Sequence, residues 1–502
     1  MEAVDSSIVA RLKIERAVLE EVETVRNLLP PEPWSDAIRV GSSAIAGWVK
    51  SRLLSGQPNA TPLSVNARKS GFGIRPVPII GIGERVAYRA LTRLVLEDLE
   101  ISERTPEEYK NFIKAPIAYA FEHVSSGPVR IGDAQIRYVA EADITAFYQY
   151  VDHEVLRQEL HMQTGDVLHV DQLISLLGEL SGRSFGIPQL LDASDWLSEV
   201  YIRIVERAVT RRGIAAWRFN DDFRIGCGSY RDALRNLEIL GEAARDVGLV
   251  VGDQKTFVST FPTYLFAHTD MDVDTAAATF DPQDVEVAVT GYFDQDEAES
   301  VVWAMQMLQR IDREGDSIGG ITLRKISSQD LRHLRRALNS LIRNGDAGGL
   351  PWVTRLFRYV PSLTPHLVRY LVRAYESREG EAIEVWFELT EHSVSDWQSL
   401  WLTYGARKMG LLGAIDPARE WIEELTRSSS PAPLRAEAYL ALAEADAVSF
   451  DELEEELRAA PDALAPWFVL GMKMLAQGSS PPPEKQLEAV RQSSPLYRVL
   501  LR

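Results

Sequence analysis

Two adjacent aspartates, set between two runs of alternating apolar and polar residues, constrain the fold of this chain more than any other stretch. The stretch is WRFNDDFRIGC, residues 217–227, and in it Trp217 and Phe219 alternate with polar residues ahead of Asp221 and Asp222. A period of two predicts strands, and Asn and Asp are residues that tight turns accept. The stretch therefore predicts a β-hairpin. A plain turn explains it when it is taken alone, and a metal site at its tip needs a third carboxylate from elsewhere in the chain.

The size and composition predict a soluble globular protein. The 502 residues indicate two or more domains, and 45% hydrophobic with 25% charged residues is an ordinary balance. Cys227 is the only cysteine, which excludes an internal disulfide framework and a zinc site built from cysteines. The N-terminus has no basic start followed by an apolar run, and no apolar stretch is long enough to span a bilayer. We therefore expect a cytoplasmic protein with no membrane partner.

The net charge of −19 is unevenly distributed. Residues 1–270 carry a net charge of −7, and residues 271–502 carry −12. Within the first part, residues 41–90 hold seven basic side chains against Glu84 alone, and a second basic run covers residues 203–218. Basic islands in an acidic protein fit local phosphate contacts better than a broad surface that coats nucleic acid.

The periodicity changes along the chain and divides it into three parts. Residues 1–60 predict helices, residues 61–270 mix strands and helices, and residues 285–502 carry consecutive helical patterns without strands. One of these helical runs covers residues 352–375. We therefore predict an α+β fold that ends in an all-α domain. That domain fits an irregular helical solenoid of the HEAT type, and a single helical bundle is the alternative.

Five motifs between about residues 60 and 260 resemble those of reverse transcriptases and follow the order of that family. DITAFYQYVDHEVL, which starts at Asp143, resembles motif A, and RFNDDF resembles motif C. Between them, FGIPQLLDASDWLSEVYI resembles motif B. After them, VGLVVGDQKTFV resembles motif D, and before them IRPVPIIGIGERVAYRAL resembles the fingers motif. Asp143 precedes Asp221 by 78 residues, which leaves room for the motif B helix between two neighbouring strands.

The resemblance implies a right-hand polymerase palm and fingers over residues 61–270, with the helical-repeat domain after them. It implies that three carboxylates converge to catalyse nucleotidyl transfer. Two Mg²⁺ ions are the implied cofactor, because they offset the repulsion among the acids, activate an attacking hydroxyl and stabilise the leaving pyrophosphate. The metal-binding residues that the resemblance implies are Asp143, Ile144, Asp221 and Asp222.

The resemblance also implies residues that bind the nucleotide. Arg75 and Lys69 would hold the triphosphate of a deoxynucleoside triphosphate. Gln189 would lie against the nucleotide or the template, and Lys255 would act catalytically by giving a proton to pyrophosphate. The ring of Tyr148 would clash with the 2′-hydroxyl of a ribonucleotide. Each of these residues has a simpler alternative role. Arg75 and Lys69 would be surface cations, and Gln189 would cap a helix with its amide. Lys255 would be a solvated lysine, and Tyr148 would pack in the core.

One residue departs from the family pattern. Reverse transcriptases usually place Gly directly after the Gln of motif B, whereas this chain has Leu190. Because that glycine lets backbone approach the template-primer, template handling is expected to differ here. The region after motif D has no recognisable thumb and continues into helices, without a maturase or endonuclease module. This arrangement resembles the bacterial defence-associated, abortive-infection reverse transcriptases.

The sequence thus predicts a reverse-transcriptase-like DNA polymerase of antiphage defence, open to protein priming and template-independent synthesis. The alternatives are a conventional RNA-templated reverse transcriptase of a mobile element and a degenerate polymerase-fold scaffold. The expected partners are deoxynucleoside triphosphates and a DNA product, attached covalently to the protein if it primes itself. The need for an RNA template is left open, and we expect a homo-oligomer.

Overall fold

A computed structural model describes residues 3–57, 62–69, 73–102, 104–123, 131–269, 301–316, 328–478, 481 and 483–502. These residues belong to two compact units. The first unit combines Met1–Ala90 with Asp296–Arg502, and the second is Leu91–Gln295. The fold is mixed α and β, with two small sheets. The predicted boundaries at residues 60, 270 and 285 stay a prediction.

The N-terminal part of the first unit consists of helices and one hairpin. Three prolines in LLPPEPW separate the second helix from the third, because proline lacks the amide hydrogen that a helix interior needs. The hairpin strands alternate buried and exposed residues, with Val65 opposite Val77. The elements are α1 (Ser6–Arg11), α2 (Ile14–Glu23), α3 (Ser35–Val40), α4 (Ser42–Ser55), β1 (Leu63–Arg68), β2 (Ile74–Ile79) and α5 (Ile82–Val95).

The second unit surrounds a four-stranded sheet with helices. Its first helix after α5 follows Thr105, whose side chain caps the helix in a reciprocal pair with Glu108. The elements are α6 (Pro106–Ala120), β3 (Tyr138–Asp143), α7 (Phe147–Tyr150), α8 (His153–Thr164), α9 (Val167–Ser181), α10 (Asp192–Thr210), β4 (Ala215–Phe219), β5 (Asp222–Cys227), α11 (Tyr230–Arg245), β6 (Phe257–Thr260) and α12 (Phe261–Thr269).

The sheet of the second unit has the order β4-β5-β3-β6, and all its described pairings are antiparallel. The predicted hairpin is confirmed: β4 and β5 pair from Ala215 opposite Gly226 to Phe219 opposite Asp222. In the central pair, Asp143 at the end of β3 lies directly opposite Asp222 at the start of β5. This register brings the acid of motif A and the acids of motif C to one end of the sheet.

The C-terminal part of the first unit is helical throughout residues 301–316 and 328–502, apart from its turns and the few undescribed positions. The prediction of one helix over 352–375 is wrong. Pro361 interrupts it, since proline disfavours the helical conformation in the residue before it. The helices are α13 (Val301–Asp316), α14 (Ser328–Asn344), α15 (Leu350–Tyr359), α16 (Thr364–Tyr375), α17 (Glu379–Glu391), α18 (Asp396–Lys408), α19 (Leu411–Ala414), α20 (Asp416–Leu425), α21 (Ala432–Glu444), α22 (Phe450–Ala459), α23 (Ala465–Gln477), α24 (Glu484–Ser493) and α25 (Pro495–Leu500).

These helices pack in sequence. Helix α14 packs on α16, α16 on α18, α18 on α21, and α21 on α23. Large buried aromatic side chains fill this part of the unit, among them Trp386, Trp397 and Trp401. Helices thus pack one after another along this part of the chain, and a repeat of the HEAT type stays a prediction. Among the described residues, no helix has the length and hydropathy of a membrane span.

Candidate metal centre

Three carboxylates meet at the end of the central strands in the second unit. Asp143 ends β3, Asp222 begins β5, and Asp221 lies in the turn before it. One oxygen from each carboxylate lies within 4.8 Å of the others. Asp143 and Asp221 are largely buried, at 8% and 7% exposure, and Asp222 is half-buried. The structure therefore brings Asp143 to the adjacent pair of acids that begins 78 residues later in the sequence.

The backbone around the acids explains their close approach. Asn220 has a φ of 53°, a left-handed conformation that Asn tolerates in turns. The amide of Ile144 donates to the carbonyl of Asp221 at 3.1 Å, which ties the hairpin tip to the end of β3. The amide of Gly252 donates to the carbonyl of Asp143 at 2.7 Å. A Cβ on Gly252 would lie 2.5 Å from Thr145 Oγ1, so a larger residue would require the Thr145 side chain to move.

The cluster concentrates negative charge. Burial raises the pKa of the Asp222 carboxyl well above its usual range, and the charges of Asp221 and Asp143 raise it further. Arg224 and Lys255 act in the opposite direction. The Nζ of Lys255 lies 3.3 Å from Asp143 Oδ1, and its side chain is 40% exposed. The combined effect of burial and the two neighbouring carboxylates on the pKa of Asp222 thus exceeds that of the two cations.

The donor set fits Mg²⁺. Hard divalent cations take oxygen ligands, and Mg²⁺ is commonly held by one or two carboxylates together with substrate phosphates. Asp143, Asp221 and Asp222 offer six carboxylate oxygens around one small region. They can therefore hold a divalent cation, which would relieve the repulsion that raises the pKa of Asp222. The carbonyl of Ile144, the fourth predicted ligand, belongs to the residue next to Asp143, and its role stays a prediction.

An ion pair braces the hairpin that carries the acids. The guanidinium of Arg218 on β4 donates to both carboxylate oxygens of Glu199 on α10, at 2.5 and 3.0 Å. It also donates to the carbonyl of Asn220 at 3.0 Å. Burial opposes ionisation of Glu199, but the adjacent Arg218 outweighs it and keeps the pKa of Glu199 low. The turn before Asp221 is thereby fixed to the helix of motif B.

Tyr148 takes part in a partly buried polar network. Its hydroxyl donates to Asp195 Oδ1 at 2.5 Å and accepts from Arg104 Nη1 at 2.5 Å. Arg104 also pairs with Asp195 at 3.1 Å and donates to Ser198 Oγ at 2.6 Å. Burial raises the pKa of Tyr148, so the phenol stays protonated and remains a donor to Asp195. The network fixes the ring of Tyr148, which follows Asp143 by five residues, in one orientation. The contact of this ring with the sugar stays a prediction.

The loop before α10 carries the motif B residues. Gln189 is half-buried in a turn, and Leu190, which follows it, is buried with a φ of +66°. This is the left-handed region that glycine adopts without strain. Leu190 therefore has a backbone conformation that glycine favours while adding a buried side chain. The predicted contact of Gln189 with nucleotide or template stays a prediction.

The two cations predicted to hold triphosphate lie in the first unit. Arg75 is on β2 and is 5% exposed, and Lys69 follows β1, where its amide donates to the carbonyl of Gly73. Arg75 is thus a buried residue of the hairpin and not a surface cation. The carboxylates lie in the second unit, so the role of these two cations in binding triphosphate stays a prediction.

Many arginines of the two basic islands already have acidic partners. In the second unit these are Arg203 with Glu199, Arg207 with Glu159, Arg212 with Glu242 and Arg218 with Glu199. In the first unit they are Arg52 with Glu84, Arg85 with Glu32 and Arg89 with Glu21. A phosphate contact at any of these arginines must compete with an existing ion pair, so the expected contacts are less favourable there.

Sequence reasoning missed four residues that shape the site: Arg104, Asp195, Arg218 and Gly252. Gly252 had a signal, because it interrupts an apolar run just before Lys255. Asp195 had a weaker one, since it lies in the first turn of the motif B helix. Arg104 and Arg218 had none, because their partners are defined by packing between segments distant in sequence.

The chain has a distant likeness to a solved structure. No family model and no curated protein matches it. Among solved structures, it is similar to telomerase from Candida albicans in complex with a TWJ fragment of telomeric RNA. The two chains share 11% identity over 67% of each, with a TM-score of 0.32. A likeness this distant assigns neither fold nor function, so any functional proposal depends on the geometry of the site.

Proposed function

We propose that this chain is a reverse-transcriptase-like DNA polymerase that joins deoxynucleotides by two-metal nucleotidyl transfer. The observation that carries the proposal is the convergence of Asp143, Asp221 and Asp222 at one end of an antiparallel sheet, within 4.8 Å of one another. Isolated acids are common at strand ends, but here burial and then the charges of Asp221 and Asp143 raise the pKa of Asp222, and a bound cation would offset that repulsion. Phosphoryl transfer requires mainly positioned reactants and charge stabilisation, which such a site provides.

Each part of the site has a role in this reaction. Asp143, Asp221 and Asp222 would hold the divalent cations. Mg²⁺ bound there would lower the pKa of the attacking hydroxyl and stabilise the leaving pyrophosphate. Lys255 stays at the edge of the cluster, 3.3 Å from Asp143 and partly exposed, where it can give a proton to the leaving group. Tyr148, with its hydroxyl held by Asp195, presents a fixed ring to the sugar.

We further propose that the polymerase acts in antiphage defence and can start DNA on the protein itself. The support is the resemblance of its motifs, and of the helical region after motif D, to defence-associated reverse transcriptases. The net charge of −12 on residues 271–502 also supports it, because such a surface repels a long nucleic acid. A covalent tether keeps a weakly held growing end at high effective concentration. An RNA-templated enzyme of a mobile element is the alternative.

The test is an incorporation assay on the full-length protein. Purified protein is incubated with Mg²⁺ and each labelled deoxynucleotide, with and without an annealed template-primer, and is then boiled in detergent and run on a gel. We expect incorporation by the wild type and background label for Asp143→Asn, Asp221→Asn and Asp222→Asn. Label on the protein band without added template-primer indicates self-priming. Label that appears on free DNA, and only when the template-primer is added, indicates the templated alternative.

Asp253→Asn is the matched control, because Asp253 is an exposed acid of the same unit outside the cluster. It should incorporate like the wild type. Residues that act as a unit are non-additive, so a double variant of the cluster should be no worse than a single one. Wild-type incorporation in all three single variants would contradict the proposal.

A further inference from the structure

Two exposed aromatic rings lie parallel to each other in the second unit. The rings of Tyr150 and Phe185 are inclined by 5°, with centroids 6.5 Å apart. Their side chains are 50% and 37% exposed. Burying these rings in a core would be favourable, so a parallel pair held in solvent is a candidate binding surface. We refer to Tyr150 and Phe185 as the aromatic pair.

The backbone holds the aromatic pair in place. The segment that carries Tyr150 and the segment that carries Phe185 run antiparallel, with a bridge between Asp152 and Phe185. The amide of His153 donates to the carbonyl of Ser184 at 3.0 Å, and that of Gly186 to the carbonyl of Val151 at 2.7 Å. The backbone positions of both residues are thus set before any ligand binds, which lowers the entropic cost of binding.

The glycine next to the pair secures this geometry. Gly186 has a φ of +86°, a conformation that side chains rarely adopt, and a Cβ there would lie 3.2 Å from the carbonyl oxygen of Gln149. The imidazole of His153 and the hydroxyl of Ser181 both bond the Gly186 carbonyl, at 2.7 and 2.8 Å. The loop is therefore fixed from both sides, and the pair is a rigid surface.

A cation accompanies the rings. The guanidinium carbon of Arg183 lies 4.4 Å from the centroid of Phe185, and its Nε donates to the carbonyl of Phe185 at 3.1 Å. Arg183 is exposed. Asp152, which forms the bridge with Phe185, caps α8, where its side chain accepts from the amides of Glu154 and Val155. Aromatic faces with an adjacent guanidinium suit a nucleobase and its phosphate.

We propose that Tyr150, Phe185 and Arg183 form a stacking site for an unpaired strand of nucleic acid. The rings stack on bases, and Arg183 contacts the backbone phosphate between them. Every base offers a π-face, so the site takes single strands with little sequence preference, whereas the bases of a duplex are stacked on each other and cannot reach it. The inference rests on the proposed polymerase function, to which it adds a contact that holds a strand in the same unit as the carboxylates.

The test measures binding without catalysis. A labelled 12-nucleotide oligodeoxythymidine, and the same strand annealed to oligodeoxyadenosine, are titrated with full-length protein in chelator, and fluorescence anisotropy is recorded. We expect Tyr150→Ala and Phe185→Ala each to weaken single-strand binding about tenfold. Tyr150→Phe and Phe185→Tyr keep the rings and should bind within about threefold of the wild type. Arg183→Gln should reduce the slope of log affinity against log salt by about 0.7.

Tyr230→Ala is the matched control, since Tyr230 is 52% exposed in the same unit but lies on α11. It should bind like the wild type. Three outcomes would contradict the proposed stacking site. They are unchanged single-strand affinity in both alanine variants, an equal loss of affinity in Tyr230→Ala, and a loss of affinity for the duplex alone. If incorporation is absent but the alanine variants lose single-strand binding, the polymerase proposal fails and the site stands. If incorporation persists and the variants bind normally, the site fails alone.

Discussion

At the scale of single residues, the structure distinguishes two properties of Tyr148. Its ring packs edge-to-face on Phe147, with centroids 5.7 Å apart, and its hydroxyl lies between Arg104 and Asp195. A contact with the sugar depends on the ring, whereas the hydroxyl bonds only fix where the ring points. Arg104 and Asp195 also pair with each other at 3.1 Å, so they keep a partner when the hydroxyl is removed.

We predict that Tyr148→Ala and Tyr148→Phe differ in sugar choice. Tyr148→Ala removes the ring and should raise the use of ribonucleotides relative to deoxynucleotides on the order of tenfold or more, since a lost steric clash discriminates by more than about 1.4 kcal/mol. Tyr148→Phe keeps the ring and should leave the ratio within about threefold, while it lowers the free energy of unfolding by about 1 kcal/mol. Competitive incorporation and chemical denaturation measure the two effects. An equal ratio in all three proteins would make Tyr148 a packing residue.

At the scale of elements, the loop before α10 holds Leu190 in a glycine conformation. A non-glycine residue at φ +66° costs on the order of 1 kcal/mol, and a leucine that is 5% exposed recovers more than that through burial. The neighbouring Leu191 is equally buried but has a φ of −128°, which any residue adopts. A comparison of the two leucines therefore distinguishes the effect of backbone conformation on stability from the effect of burial.

A crossed comparison at these positions tests the strain. At Leu190, glycine should be more stable than alanine by about 1 kcal/mol, because alanine keeps the strained φ. At Leu191 the order should reverse, with alanine more stable than glycine by about 0.4–1 kcal/mol, because glycine has more unfolded-state entropy. Alanine keeps the leucine Cβ and glycine does not, but this difference in burial is nearly the same at the two buried positions, so it cancels when the two pairs are compared. Denaturant unfolding gives the four values, and the same order at both positions would disprove strain at Leu190.

Local patterns made the elements of this site predictable, and distant packing did not. The hairpin of residues 215–227 follows from alternation, which needs no knowledge of the rest of the chain. The prediction that this hairpin lies beside Asp143 depended on the resemblance to reverse transcriptases, because no local rule aligns strands that a long helix separates. The turn of Leu190 contradicts side-chain preference, whereas the helix break at Pro361 follows from a proline that the sequence shows. The bond of Arg218 to Glu199 depends on how β4 packs on α10.

At the scale of the whole molecule, the net charge of −19 coexists with a site whose proposed substrates carry phosphates. Many of the arginines are bound to carboxylates within their own unit, so much of the positive charge is already compensated. The carboxylate cluster adds further repulsion in the second unit. Cations bound there would offset it, so metal binding, folding stability and nucleotide binding should all depend on one another.

Stabilisation by Mg²⁺ should therefore be larger at high pH. The pKa of Asp222 is raised in the folded protein, so the stability that its protonated form contributes is present below the ordinary aspartate pKa and is lost as pH rises through the raised value. Mg²⁺ replaces the proton, and at about 100 times its dissociation constant it should restore about 2.7 kcal/mol. Hydrogen exchange with and without Mg²⁺ should show added protection in β3 and β5 that is greater at pH 8 than at pH 5, with α16 unchanged.

Asp222→Asn removes the titrating group and should abolish the pH dependence of this protection. Equal protection at both pH values in the wild type, or pH-dependent protection that survives in Asp222→Asn, would show that the carboxylate cluster is not where the metal binds.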